Sequence, residues 1–211
     1  MTATPDAPVD YATVETATLG HFLSDGFMVP AIQSVSSGIR IAGPALTVRL
    51  PGDDGMALVE ALSIAEPGQI VVVDRCGDLR HACWGAVTTN AAIARGVKGA
   101  IIDGFITDLS AIRELGFPVW CRGRSPITTR QRGLGGNVNH RVACGGVSVA
   151  PGDLVIADEN GVVVLPPSDA EMHCTRALAM QANEPELIRR LHAGETMADL
   201  AQPKEPRVAA D

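Results

Sequence analysis

Residues Val71–Gly123 read VVVDRCGDLRHACWGAVTTNAAIARGVKGAIIDGFITDLSAIRELGFPVWCRG, and this stretch decides the fold. Three runs lie within this stretch or overlap its start: QIVVVD, GAIID and PVWCRG. They are apolar on both faces, which is typical of buried parallel strands. Helical segments separate the runs, and this alternation predicts an α/β fold. Because open α/β sheets bind small anions where strands end and helices begin, a site is expected at the carboxyl ends of these strands.

Two helices are predicted inside this stretch. The first is expected to carry one apolar stripe formed by Cys83, Val87, Ala91 and Ala94 and to end at Gly96. This interpretation makes Cys83 a core residue. The second helix, 109–115, is short and has Gly116 at its C-terminal cap position.

The sequence before this stretch predicts two helices and a strand. A helix is expected over 12–24, strand material over 39–50, and a further helix over 56–65. Gly43-Pro44 interrupts the strand material, which indicates a bend or a crossover.

After about Gly135 the pattern changes to short strands. Asn160-Gly161 is a strong hairpin signal, so these strands are expected to be antiparallel and to close the sheet. Ser168 and Glu171 then resemble a capping box that opens a C-terminal helix, which Pro185 would break or restart. The prediction is one α/β domain over 1–211, with a polar lead-in of about 1–10 and a tail of about 203–211.

Composition limits the functional classes. The chain has 211 residues, 46% hydrophobic and 19% charged, which fits a globular protein. A net charge of −7 gives no electrostatic footprint for nucleic acid, and no apolar run is long enough to span a membrane. The five cysteines form no CxxC pair, and the start of the chain does not resemble a signal peptide. We therefore expect a cytoplasmic protein without nucleic-acid or membrane partners.

The helix start at Gly85, Ala86, Val87 and Thr88 is the first candidate binding site. Its unpaired amides and the helix dipole favour the carboxylate of a substrate. The alternative is that the glycines of this loop only shape a turn between a strand and a helix.

Asp108 follows the GAIID strand and is a candidate ligand for a divalent metal. Mg²⁺ typically uses one or two protein carboxylates and keeps several waters. The alternative is that Asp108 or Ser110 only caps the helix that begins at Leu109.

Three side chains of the loop before the first helix are candidate substrate ligands. Arg75 and Arg80 could bind an anion, and His81 could act as a general acid or base. Solvated loop charges are the alternative for each of them. A zinc site is not expected because no H-x-x-H or H-E-x-x-H spacing exists.

Several segments resemble one family, in the same order along the chain. They are AGPALTVRLPGDD (42–54), AEPGQIVVVD (65–74), RGVKGAIIDGFITDLSAIRELGFPVWCRG (95–123), GGVSVAPGDLVIADENGVVVLP (145–166) and ELIRRLHAGET (186–196). Together they resemble the RraA-like family, which includes the 4-hydroxy-4-methyl-2-oxoglutarate / 4-carboxy-4-hydroxy-2-oxoadipate aldolases. The resemblance implies an α/β sandwich with a mixed central sheet, closed by antiparallel strands and a C-terminal helix.

The aldolases of that family carry the motif Asp-x20-Arg-Asp, which this chain keeps only in part. The final Asp, which binds Mg²⁺ or Mn²⁺, corresponds to Asp108. The Arg, which binds the substrate carbonyl oxygen, corresponds to Thr107, and the first Asp corresponds to Ala86. Thr107 could donate one hydrogen bond without a charge, and Arg75, Arg80 or Arg124 are possible substitutes for the missing guanidinium.

The resemblance also implies an assembly and a reaction. It implies a homotrimer or hexamer with sites between subunits, where Glu184 of a neighbouring chain is the candidate that supports the metal waters. The expected function is a metal-dependent lyase that cleaves or decarboxylates a small 2-oxo or hydroxy acid to a pyruvate-like product. The altered motif keeps two alternatives open: an isomerase, hydratase or decarboxylase with another acid substrate, and a non-catalytic regulatory protein-binding scaffold.

Overall fold

The computed structural model describes residues 9–201, and these form a mixed α/β fold. The strands are β1 (Gln33–Ser34), β2 (Ile41–Arg49), β3 (Ile70–Asp74), β4 (Ala82–Trp84), β5 (Gly99–Ile106), β6 (Val119–Arg124), β7 (Asn137–Val138), β8 (Val142–Cys144), β9 (Val147–Val149), β10 (Leu154–Ala157) and β11 (Val162–Leu165). The helices are α1 (Thr16–Leu19), α2 (Met56–Ile64), α3 (Ala86–Ala94), α4 (Leu109–Glu114), α5 (Pro167–His192) and α6 (Met197–Ala201). The predicted lead-in and tail lie almost wholly outside the described residues.

The centre of the sheet is parallel, as the apolar runs predict. Strand order in the main sheet is β1-β6-β5-β3-β2-β10-β11, with β4 beside β5 and β7 beside β2. Val71 and Val73 of β3 pack on the side that α2 covers, whereas Ile70 and Val72 pack on the opposite side. Both faces are therefore buried, and each such side chain contributes about 1.5–3 kcal/mol by leaving water.

Strand β2 changes its partner at Gly43-Pro44 without breaking. Up to Pro44 it pairs antiparallel with β10, and from Ala45 it pairs parallel with β3. A Cβ at Gly43 would lie 2.3 Å from the carbonyl oxygen of Gly68, so only glycine fits this crossing. The predicted interruption is thus a crossover.

The helix predicted over 12–24 is wrong for most of its length. A 3₁₀ turn covers Tyr11–Thr13, and α1 contains only four residues. The carboxylate of Asp158 accepts hydrogen bonds from the amide (2.9 Å) and hydroxyl (2.6 Å) of Thr16, which fixes the start of α1. Its end is at Gly20, whose amide bonds back to Thr16.

The apolar stripe predicted for the first helix of the central stretch is also wrong. Cys83 is buried as expected, but it lies in β4, and α3 begins only at Ala86. Val87 is 84% exposed, and the positions of α3 that are buried are Thr89 and Ala92. Pairing of β4 with the end of β5 takes the Ala82–Trp84 segment into the sheet.

The closing strands are antiparallel, and β10 and β11 form the hairpin predicted at Asn160-Gly161. Helix α5 begins at Pro167 without the predicted capping box, because the Ser168 hydroxyl donates to Asp169 instead. The helix also continues through Pro185, although a break or restart was expected there.

Near that proline, contacts outside the helix hold α5 in place. The side chain of Gln181 bonds to the backbone of Thr13 and Glu15. None of the helices in residues 9–201 combines the length and apolar character that crossing a bilayer requires.

Candidate functional site

Asp108 holds a strained position at the end of β5. Its φ is 52°, in the left-handed region that favours glycine, and asparagine and aspartate tolerate this region best among the other residues. The side chain does not cap α4, although Asp108 stands at the N-cap position of that helix. Instead Oδ2 accepts a hydrogen bond from the amide of Ala86 at 2.9 Å. Asp108 thereby ties the end of β5 to the first residue of α3.

Gly85 makes this contact possible. A Cβ at Gly85 would lie 2.6 Å from Asp108 Oδ2 and 2.9 Å from the side-chain methyl of Thr107. The backbone of Gly85 is extended, with φ −154°, so this position needs room and not an unusual backbone conformation. The glycine therefore does more than shape a turn, because it lets a carboxylate approach the helix start.

The first turn of α3 is held by a set of hydroxyl hydrogen bonds. The Thr88 hydroxyl accepts from the Gly85 amide at 2.8 Å, and the Thr89 hydroxyl donates to the Gly85 carbonyl at 2.8 Å. The indole of Trp84 donates to Thr89 at 2.9 Å. The amides of Val87 and Thr88 have no acceptor four residues earlier in a helix, so they can bind an anion.

Thr107 is the residue that the sequence resemblance matches to the arginine of the aldolase motif. Its amide donates to the Trp84 carbonyl at 2.8 Å, and its hydroxyl lies 3.4 Å from Asp108 Oδ1. We call Gly85–Thr88, Thr107 and Asp108 the Asp108 cluster. Asp108 is exposed and forms no ion pair with any side chain in the described part of the chain.

Arg75 is fully buried, and its guanidinium serves the fold. Its terminal nitrogens donate to the carbonyls of Leu50 (2.7 Å) and Gly52, and one lies 3.3 Å from Asp78 Oδ2. Nε has no hydrogen-bond partner among the described residues. A Cβ at Gly104 would lie 2.4 Å from Arg75 Cγ. These contacts favour a structural role over the predicted binding of substrate.

Asp78 orients His81, and the sequence interpretation did not single Asp78 out. His81 Nδ1 lies 2.8 Å from Asp78 Oδ2, and the amides of Arg80 and His81 donate to Asp78 Oδ1 at 2.7 and 2.9 Å. Burial opposes ionisation of Asp78, but the hydrogen bonds from His81 and Arg80 and the charge of Arg75 lower its pKa to about 2. The D-x-x-H spacing was the available signal. We call Arg75, Asp78 and His81 the Arg75 cluster.

The two clusters lie at opposite ends of β4. His81 precedes the strand and Gly85 follows it, so the strand rise separates their backbones by roughly 13 Å. The backbone of Arg80 accepts a hydrogen bond from the Ser125 hydroxyl at 2.6 Å, and Arg124 pairs with Ile106 at the end of β5. The guanidinium groups of Arg80 and Arg124 make no hydrogen bond or ion pair with described residues.

Glu184 is not brought near Asp108 within one chain. It is exposed on α5, a helix that packs through Ala170, Cys174 and Ala177 against β10 and β11. Strand β10 lies three strands from β5 in the sheet. A role for Glu184 at Asp108 would need a neighbouring copy of the chain.

The donor set suits a hydrated Mg²⁺ or Mn²⁺ better than zinc. In residues 9–201 no three His, Cys, Asp or Glu side chains gather as a metal site. Asp108 offers one exposed carboxylate whose Oδ1 has only the long contact with Thr107. Mg²⁺ accepts such a site because it keeps several waters. Burial raises the pKa of Cys83 to about 11, which agrees with a core cysteine and not with a nucleophile.

Comparison with known proteins gives one family match and a named relative. The sequence model described as RraA-like, Aldolase/RraA, matches residues 13–164. A protein of Halalkalibacterium halodurans with the provisional name 4-hydroxy-4-methyl-2-oxoglutarate aldolase is 33% identical over 181 residues, which cover 85% of each chain.

Two solved structures share the fold. An uncharacterized protein of Pseudomonas syringae pv. tomato has a TM-score of 0.76 and 28% identity, with 93% of this chain and 94% of that chain covered. Streptomyces coelicolor RraAS2, described as an unusual member of the RNase ES inhibitor RraA protein family, has a TM-score of 0.74 and 29% identity, with 90% and 99% covered.

Proposed function

Because this chain belongs to the RraA-like family, we propose that it is a divalent-metal-dependent lyase that cleaves a carbon–carbon bond of a small 2-oxo or hydroxy acid. One observation carries the proposal. Asp108 presents an exposed carboxylate without an ion pair, and the Ala86 amide and the space at Gly85 hold it against the start of α3. The proposal is supported by the position of this carboxylate, which is of the type that holds Mg²⁺ and lies beside amides that suit a substrate carboxylate.

The residues of the Asp108 cluster have separate tasks in this proposal. The amides of Val87 and Thr88 bind the carboxylate of the substrate, and Asp108 holds Mg²⁺ or Mn²⁺. When bound, the ion supplies stabilisation of the negative charge that develops on the 2-oxo oxygen. Thr107 adds a neutral hydrogen-bond donor near the same carboxylate.

Aldol cleavage also needs a proton acceptor. The bond between C3 and C4 breaks, its electron pair stays with the pyruvate fragment as an enolate, and the C4 hydroxyl loses its proton as the second carbonyl forms. We assign the role of proton acceptor to His81, because an imidazole that donates from Nδ1 to Asp78 leaves Nε2 free to accept the hydroxyl proton. Return of this proton from His81 to C3 of the enolate completes pyruvate and restores the neutral imidazole.

Without a substitute, the absence of a guanidinium at position 107 would lower the rate, since one preorganised donor is worth a few kcal/mol of transition-state stabilisation. We assign its substitute to Arg80, because Arg75 is bound to the carbonyls of Leu50 and Gly52. Arg80 is exposed, and Ser125 joins its loop to the end of β6.

The test is Asp108→Asn. Asparagine tolerates the left-handed backbone and still accepts from the Ala86 amide, so the free energy of unfolding should change by less than about 1 kcal/mol. The loss of the charge should weaken Mn²⁺ binding at least tenfold, measured by electron paramagnetic resonance. Pyruvate formation from oxaloacetate or 4-hydroxy-2-oxoglutarate should disappear. The control Asp25→Asn removes an exposed loop carboxylate and should change neither result.

A non-catalytic scaffold is the second candidate, and Ala86 and Thr107 favour it. Neither side chain can replace the carboxylate and guanidinium of the aldolase motif. The described relationship of Streptomyces coelicolor RraAS2 to an RNase inhibitor family adds support. Absence of turnover by the native chain, with Mg²⁺ or Mn²⁺ across a broad panel of oxo acids, would favour this candidate over the lyase.

A further inference from the structure

An open cavity lies at the β1 end of the main sheet, between β1, α4 and the turn that joins β10 to β11. Its volume is about 740 Å³, within the range of about 300–1,000 Å³ that is typical of sites for small ligands. The polar side chains on its walls include Gln33, Ser36, Ser37 and Asn160, together with the charged residues Arg113 and Glu159. We call it the β1 cavity.

The β1 cavity carries one positive and one negative charge that lack partners. Arg113 and Glu159 are its only charged residues in the described part of the chain, and neither forms an ion pair there, even with the other. A second cation, Arg40, lines a neighbouring cavity with Glu159, but it is already paired with Glu15 at 2.9 Å. Both charges of the β1 cavity are therefore left for a ligand.

Hydrogen bonds fix the backbone that carries the negative charge. Glu159 directly follows Asp158, which is only 3% exposed. The carboxylate of Asp158 accepts from the Asn160 amide at 2.8 Å, and its carbonyl accepts from the indole of Trp120 at 2.8 Å. The turn between β10 and β11 thus presents Glu159 from a preorganised backbone, which lowers the cost of ordering when a ligand binds.

The side of the cavity that carries the positive charge is held in a similar way. Arg113 donates from Nε to the Val35 carbonyl at 2.8 Å, which holds the guanidinium beside β1 and leaves its terminal nitrogens for another acceptor. The Ser34 hydroxyl donates to the Ser36 carbonyl at 2.5 Å and accepts from the Ser36 amide at 3.3 Å, so the loop after β1 forms a tight turn. A guanidinium fixed in this way suits a carboxylate, which it can bind in a bidentate manner.

We infer that the β1 cavity binds a small zwitterion, an amino acid or a short peptide, with its carboxylate on Arg113 and its ammonium group on Glu159. A dianion would meet the charge of Glu159 and a diamine that of Arg113, whereas a zwitterion matches both. The side chains of Ser37 and Asn160 can bond to polar groups between the two ends of the ligand. The inference goes beyond the proposed function and does not depend on it, because the Asp108 cluster contributes no described lining residue.

Three compounds that differ by one charge provide the test. L-Alanyl-L-alanine carries both charges, N-propanoyl-L-alanine lacks only its ammonium group, and L-alanine isopropylamide has a methyl group in place of its carboxylate. Titrations of the ¹⁵N-labelled native chain in Mg²⁺-free buffer at pH 7, followed by NMR at the amides of Ser36, Ser37 and Gly161, measure their affinities. The dipeptide should bind at least about tenfold more tightly than either analogue, because charge-assisted hydrogen bonds are the stronger kind. L-Leucine in the same titration tells whether a free amino acid binds more tightly than a peptide.

Variants assign each charge to one end of the ligand. Glu159→Gln should weaken the dipeptide at least about tenfold and leave the affinity for N-propanoyl-L-alanine unchanged. Arg113→Gln should weaken the dipeptide equally and leave the affinity for L-alanine isopropylamide unchanged. The control is Glu171→Gln, which removes an exposed carboxylate from α5 and should change none of these affinities.

The inference is overturned by equal affinities for the three compounds, by absent binding of both the dipeptide and L-leucine, or by a preference that survives Glu159→Gln. Glu159 is exposed and makes no side-chain hydrogen bond to a described residue, so this variant should fold even where Arg113→Gln does not. Absent pyruvate formation would count against the proposed function alone, since these titrations need neither metal nor turnover.

Discussion

The Asp108 cluster and the Arg75 cluster share one packing feature but differ in the burial of their charge. In each, a charged side chain lies against a glycine: a Cβ at Gly85 would meet Asp108 at 2.6 Å, and one at Gly104 would meet Arg75 at 2.4 Å. Asp108 is exposed and has no ion pair among the described residues, whereas Arg75 is buried and bound to two carbonyls and Asp78. A charge left without a partner at a strand end suits a ligand, whereas a charge with internal partners stabilises the fold.

Removing the buried charge should have the largest effect on stability. Arg75→Met removes the donor to the carbonyls of Leu50 and Gly52 and the positive charge beside Asp78, and breaking such a buried pair costs about 3–5 kcal/mol. Urea unfolding measures this loss. Asp108→Asn is the matched change in the other cluster. If it lowered stability as much as Arg75→Met, the conclusion that only the Arg75 cluster stabilises the fold would be contradicted. Should Arg75→Met not fold, Arg75→Lys should fold with an intermediate loss.

Exchanging Gly104 or Gly85 for alanine should have different effects: the first should lower stability, and the second should mainly lower Mn²⁺ affinity. Gly104→Ala crowds Arg75 and should lower the free energy of unfolding by about 1–3 kcal/mol, with Mn²⁺ affinity unchanged. Gly85→Ala displaces Asp108 and should lower Mn²⁺ affinity at least tenfold, with a smaller loss of stability. Gly123→Ala is the control, because its Cβ would come no closer than 3.4 Å to the Phe105 ring. Identical profiles for Gly85→Ala and Gly104→Ala would contradict the comparison.

Acid should weaken the Arg75 cluster in a defined range of pH. The pKa of Asp78 is lowered from 3.8 to about 2 in the folded chain, so its ionised form stabilises the protein above pH 4. This contribution is lost as the pH falls through about 2. Asp78→Asn should therefore destabilise the protein by about 1–2 kcal/mol at pH 5, and the difference from the native chain should shrink towards pH 2. A difference that stays constant over this range would contradict the assignment.

The central strands were predictable because consecutive apolar residues indicate burial on both faces. The Ala82–Trp84 segment was not, because three apolar residues fit a helix or a strand equally well and only pairing with β5 decides between them. The helix expected over 12–24 failed for a similar reason. The start of α1 depends on Asp158, which is more than 140 residues away.

The residues of the candidate site were likewise predictable only in part. The place of Asp108 after a buried strand and the helix start at Gly85 followed from local pattern. The burial of Arg75 did not, because its acceptors are main-chain carbonyls at Leu50 and Gly52, which leave no trace in side-chain identity. The sequence could suggest Asp78 only through its spacing from His81.

The change of partner in β2 also sets an order for folding during synthesis. Its residues Ala45–Arg49 find β3 within about 25 residues, but residues Ile41–Pro44 must wait for β10, about 110 residues later. Until then the growing chain carries an open strand edge, which is a template for pairing with other chains. Contacts so distant in sequence form slowly. The β10–β11 hairpin therefore closes a strand edge that would otherwise be open to pairing with other chains.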